Sequence, residues 1–221
     1  MLIASSAPKI DRQQSYLTLF EQGFSVMSLL FFAGAAEPLL GGNLSLLTLA
    51  RYSILMLSGL LALMRWRSTL RTVHHGALIW PLIGLAILSV LWSRSPVDAM
   101  DSIKGEILQT TTFALYFASR FRPREQLRLL AIALGIAALL SLFYVFAIPS
   151  VGKHLSGKFA GAWRGIYNQK NTFSAYMTLT LITFFVLSSH NERRLERRLS
   201  QGFLALSITM IILSTSMTGL I

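Results

Sequence analysis

Long apolar runs dominate this chain, and each comes close to the length of a membrane span. Seven can be picked out, at about 16–36, 44–64, 77–93, 103–119, 127–147, 170–189 and 202–221. About 20 apolar residues in α-helix cross the hydrocarbon of a bilayer, where every backbone polar group must find its partner within the protein. Only 13% of the 221 residues are charged, against roughly 25% in soluble domains. The expectation is an all-α polytopic membrane bundle of about seven helices. The fourth run is the weakest, because Lys104, Glu106, Gln109 and three Thr dilute it. It reads as a span, or as an amphipathic helix lying in the interface.

The net charge of +11 excludes little by itself. In a soluble chain it would suggest nucleic acid. Here, without periodic DNA-reading helices, it reads as cytoplasmic loops enriched in Lys and Arg. With the N-terminus inside, thirteen of the twenty Lys and Arg fall on the cytoplasmic side, six on the opposite side, and Arg51 within the second run. The chain then divides into a cytoplasmic tail (1–15), five transmembrane helices (16–147), an outer loop (148–169) and two further helices (170–221). Lys9 and Arg12 followed by an apolar stretch ending Ala33-Gly34-Ala35 imitate a cleavable signal. Glu21 and Gln22 interrupt that stretch, so an uncleaved first span is expected, with Glu21 snorkelling to the inner surface. Without Cys, disulfides and thiolate metal sites are excluded.

The densest polar feature is Gly161-Ala-Trp-Arg-Gly-Ile-Tyr-Asn-Gln-Lys-Asn171, set between two apolar runs. Arg164 and Lys170 can converge on one anion, the first as a fork and the second as a compact charge. A sixth helix starting near Asn168 to Lys170 would add its free N–H groups, with Asn168 or Asn171 as cap. Trp163 and Tyr167 suit either a sugar face or the aromatic belt at lipid headgroups. Arg51, inside the second span, is either functional or snorkels outward. His154 shares the outer loop with Arg164 and would be its only candidate base, although a solvated loop histidine is the plainer reading. Glu192 to Arg198 reads as an inner-leaflet charge anchor, and the serines of the last run as packing groups. No metal cluster, glycine-rich phosphate loop or nucleophile triad stands out.

The stretch Trp163-Arg-Gly-Ile-Tyr-Asn-Gln-Lys-Asn-Thr-Phe-Ser-Ala-Tyr-Met177 resembles the signature of the O-antigen ligase and exopolysaccharide polymerase family, in which Lys-Asn or Pro-Asn opens a membrane helix after an outer loop. Leu213-Ser-Thr-Ser-Met-Thr-Gly-Leu220 resembles that family's following block. Leu88-Ser-Val-Leu-Trp-Ser93 and Leu115-Tyr-Phe-Ala-Ser-Arg120 resemble its exopolysaccharide branch. The likeness runs over most of 45–221. Met217 departs from it, standing where the family pattern has Arg or Lys.

The resemblance implies a multi-span glycosyltransferase of the GT-C type in the bacterial inner membrane. Such an enzyme takes glycan from an undecaprenyl diphosphate carrier at the periplasmic face, without a nucleotide or an obligatory metal. It implies that Arg164 and Lys170 hold the diphosphate and that Asn171 positions a sugar hydroxyl or the helix mouth. Partners would be the lipid-linked glycan, membrane lipid and other polysaccharide-assembly proteins, with no nucleic acid. The chain matches only the N-terminal half of that family, so it reads as truncated and unable to complete transfer alone. A lipid-linked glycan flippase and a non-catalytic remnant are the competing expectations.

Overall fold

The computed structural model describes residues 12–41, 43–190 and 193–216. Most of the expected N-terminal tail, the departure at Met217 and the end of the seventh run lie outside the described residues. Those described form an all-helical structure with no strand. In chain order the helices are α1 (Arg12–Phe32), α2 (Ala36–Leu39), α3 (Leu44–Met64), α4 (Trp66–His75), α5 (Ile79–Leu88), α6 (Pro96–Ser102), α7 (Leu108–Arg120), α8 (Pro123–Ala147), α9 (Pro149–Gly152), α10 (Lys170–His190) and α11 (Arg194–Leu213).

Three of these, α3, α8 and α10, are long and apolar enough to cross a membrane. A fourth span is available if α4 and the Ile79–Trp92 segment are one element, but they are bent by 88° across a short break. The third apolar run therefore makes only a ten-residue α-helix and a four-residue 3₁₀ turn. That is about 23 Å of rise, short of the ~30 Å hydrocarbon thickness. The first run carries Glu21, and α11 opens on Arg194, Glu196, Arg197 and Arg198. Counting runs by apolarity misses these interruptions.

The outer surface is the expected one for lipid. On α3, Leu49, Met56 and Leu63 are 64%, 73% and 73% exposed. A contiguous apolar face of this kind is unfavourable in water and neutral in hydrocarbon. Inside, two clusters share α1. One joins Ala133, Ala137 and Ala138 of α8 with Phe173, Met177, Met210 and Ile211. The other joins Phe113 and Tyr116 of α7 with Ile54, Leu61 and Phe121. Small residues along α8 let neighbouring backbones approach closely.

Glu21 does not snorkel. It is fully buried, and its carboxylate accepts Arg65 Nη2 at 2.7 Å and Arg120 Nε at 2.5 Å. The cause is topology: Arg65 ends α3 and Arg120 ends α7, so both arginines meet α1 at one end of the bundle. A paired carboxylate is favoured there over one stretched out to headgroups. At the same end α8 starts at Pro123, with the Arg122 N–H donating to Glu125 at 2.9 Å.

The fourth run is helical without a break from Pro96 through a π-helical turn (Ile103–Ile107) to Arg120. It packs along α3 and α4. Gly105 leaves room in the π turn for the Arg51 guanidinium, which lies 2.9 Å from where a Cβ would sit. Gln109 donates to the Arg51 carbonyl at 3.1 Å.

Candidate functional site

The opposite end of the bundle is closed by the segment between α8 and α10. After Ala147 the chain makes α9 and turns back. Lys153 pairs with Trp163 in an isolated antiparallel bridge. His154 and Ala162 continue the pairing, the His154 N–H donating at 3.0 Å. The returning arm is pressed onto the helices. The N–H groups of Arg164 and Gly165 both donate to the Gly152 carbonyl, at 2.9 and 3.0 Å. Gly165 sits at φ +60°, and a Cβ there would lie 2.6 Å from Ser141 on α8. Only glycine fits this close, left-handed crossing.

Arg164 and Lys170 occupy the two flanks of this arm. The Arg164 fork donates to the carbonyls of Val151 (2.8 Å) and Ser150 (3.1 Å). Lys170 begins α10, donates Nζ to the Thr215 carbonyl at 3.0 Å and lies 3.9 Å from the centre of the Phe159 ring. Thr215 is held at φ +47°, a strained position for a β-branched residue. Lys153 lies 5.9 Å from the Trp163 ring centre. Among the described residues, none of these three cations has a carboxylate within salt-bridge distance. No Asp or Glu occurs between Glu125 and Glu192. The positive charge is thus held by neutral groups and left uncompensated. The first N–H groups of α10 add to it.

His154 lies within the electrostatic reach of two of these cations. Its side chain has an enclosed Nε2 with no hydrogen-bond partner among the described residues. Burial lowers its pKa below the ordinary histidine value, and the nearby charges of Arg164 and Lys170 lower it further. The reading of His154 as a solvated loop residue is therefore corrected. The ring carries an enclosed, unpartnered nitrogen and feels the charge of both cations.

The other expected residues are placed as follows. Trp163 is half-buried, its backbone N–H donating to the Leu213 carbonyl at 3.2 Å and its ring packing edge-on against Phe146. Tyr167 is buried and stacked on Tyr176, with ring centres 5.0 Å apart. It belongs to the core rather than to a headgroup belt. Its hydroxyl is enclosed and without a partner, and burial raises its pKa. Asn171 accepts from Ser216 Oγ at 2.9 Å. Asn168 donates to both oxygens of Glu37 at 3.1 Å. Both asparagines, the cap candidates for this helix, are thus turned to other partners. Arg51 stands apart, exposed beside the π turn and without a contact to this arm.

Sequence reasoning missed two members of this site. Glu37 reaches Asn168 from 131 residues away. The Thr215 carbonyl, as a backbone group, leaves no trace in residue type. Comparison of the chain with known protein families, with curated proteins and with solved structures finds no match.

Proposed function

We propose that this end of the bundle binds the diphosphate of a polyprenyl-linked glycan at the outer face of a bacterial inner membrane. The chain would be part of an O-antigen ligase or polysaccharide polymerase-like glycosyltransferase. One observation carries the reading. Arg164 and Lys170 are held by carbonyls and a ring in a segment free of acids, with no carboxylate to offset either charge. A diphosphate would supply the missing counter-charge. Cations and helix N–H groups aimed at a departing diphosphate also stabilise the charge that develops in transfer.

The resemblance of Trp163–Met177 to the ligase and polymerase signature supports the same reading from the residues alone. The Lys and Arg bias between loops supports a cytoplasmic N-terminus and an outward-facing arm. The seven-helix count and the GT-C architecture belong to this proposal. The flippase alternative would need several charges lining one cavity within spans; among the described residues the buried Glu21 is engaged by Arg65 and Arg120, and Arg51 lies apart beside the π turn.

The purified chain in nanodiscs, titrated with farnesyl diphosphate and with farnesol, tests the proposal. The diphosphate should bind at least tenfold more tightly. Lys170→Gln and Arg164→Gln should each remove most of that preference, as expected for a charge-assisted bond of ~1.5–3 kcal/mol. Equal affinity for the alcohol and the diphosphate would overturn the assignment.

A further inference from the structure

A groove of about 460 Å³ opens between α8, α10 and α11, starting at the end of the bundle that carries Glu21. Along α8 its wall extends from Arg128 to Leu139, or ~16 Å at 1.5 Å per residue. Its polar wall residues, Arg128, Glu196 and Ser200, all lie within the first two turns of α8 and α11. The remaining wall residues are apolar, and Ile132, Leu139 and Leu199 among them are exposed. The floor is firm. Phe184 and Phe203 stack with ring centres 4.6 Å apart. Gly135 lets α8 close on this pair, since a Cβ there would stand 3.4 Å from both rings.

We infer that this groove seats one acyl chain of an anionic phospholipid, with the lipid phosphate at Arg128. The site starts at the opposite end from the arm and does not rest on the diphosphate reading. Three features point to this occupant. First, polar and apolar walls are segregated along the groove, as they are along an amphiphile. Second, the space is too small for a partner's helix. An α-helix about 10–12 Å across and ~16 Å long fills roughly 1,200 Å³, against about 460 Å³ here. An acyl chain is far thinner. Third, positive charge is in excess at the mouth. Glu196 is engaged by Arg193 at 3.6 Å, whereas Arg128 has no carboxylate within salt-bridge distance among the described residues. The stretches 122–128 and 192–198, which open α8 and α11, carry seven Arg against three Glu. Basic pockets between membrane helices select anionic headgroups, and one guanidinium can hold two phosphate oxygens. The stacked floor exists before the lipid arrives, which lowers the ordering cost of binding.

Native mass spectrometry of the purified chain in detergent, titrated with dioleoyl phosphatidylglycerol and with dioleoyl phosphatidylcholine, tests the site. The first lipid should bind roughly tenfold more tightly. Arg128→Gln should cut that preference about fivefold, the weight of one arginine at a lipid surface. Arg67→Gln removes the same charge from α4, at the same end of the bundle but off the groove wall. It should keep the preference. Ile132→Trp fills the groove from its exposed side and should weaken both lipids alike. Equal affinity for the two lipids in the wild type overturns the inference. A loss in Arg67→Gln as large as that in Arg128→Gln also overturns it, because the charge would then act diffusely. So does unchanged phosphatidylglycerol binding in both Arg128→Gln and Ile132→Trp. A dimer without lipid preference that Ile132→Trp turns into a monomer would give the groove to a second copy of the chain instead.

Discussion

Arg120 donates its Nε to the Glu21 carboxylate at 2.5 Å across 99 residues of sequence, and this pair fixes how the first and seventh helices meet. Arg65 completes the cluster from the end of α3. A buried ion pair adds little net stability, but removing one partner strands the other charge and costs about 3–5 kcal/mol. Glu21→Ala leaves two guanidinium groups facing each other without a counter-ion. It should sharply lower the fraction of monodisperse protein recovered in detergent and its melting temperature. Arg120→Met should be damaging in the wild type and much milder in a Glu21→Gln background. Additive losses in that double-mutant cycle would show that the pair is not coupled.

Gly165 gives a sharper test of the arm's docking, because Gly161 serves as an internal control. Both lie at positive φ, +60° and +86°. An alanine at either carries the left-handed strain of roughly 1–2 kcal/mol. At 161 nothing lies within 4 Å of the new methyl, whereas at 165 it would overlap Ser141 on α8. Gly165→Ala should therefore cost clearly more thermal stability than Gly161→Ala and should expose the arm to limited proteolysis. Equal losses at the two positions would mean that the arm is not seated on Ser141.

The sequence shows the bundle's apolar scale and the basic, acid-free arm, because both are properties of residue type along a continuous stretch. Arg164, Lys170, Trp163 and Tyr167 lie on one arm because they are close in the chain, but each side chain is turned to a different partner. What could not be read depends on distant contacts. Nothing local to Glu21 announces Arg65 and Arg120, so it reads as a snorkelling side chain. Tyr167 reads as an interfacial aromatic because its partner Tyr176 lies two turns into the next helix. The third run reads as a span because the 88° bend before it comes from an unremarkable Gly76-Ala-Leu78 junction.

His154 predicts how the arm responds to pH. Its pKa is lowered in the folded chain below the ordinary 6.5, so the unfolded chain binds the proton more readily. The contribution to stability is then complete above about 6.5 and is lost as pH falls through the folded value. His154→Gln should flatten this part of the stability profile. A bound anion reverses the sign at the site. By screening Arg164 and Lys170, it favours the protonated ring, so inorganic pyrophosphate should raise the His154 pKa measured by NMR. An unmoved titration at saturating pyrophosphate would show that no anion sits between these groups.

The absence of cysteine allows the side of the membrane to be tested directly. Ala160 is exposed at the tip of the arm and follows the 3₁₀ turn Gly157–Phe159. A single Ala160→Cys should perturb nothing and give the chain its one thiol. A second single-cysteine protein, Ser68→Cys near Arg65, places the thiol at the Glu21 end of the bundle. If the arm faces outward, a membrane-impermeant maleimide added to intact cells will label position 160 and leave position 68 unlabelled until the membrane is opened. The reverse pattern would put the cationic arm in the cytoplasm, where a carrier glycan presented at the outer face could not reach Arg164, His154 and Lys170.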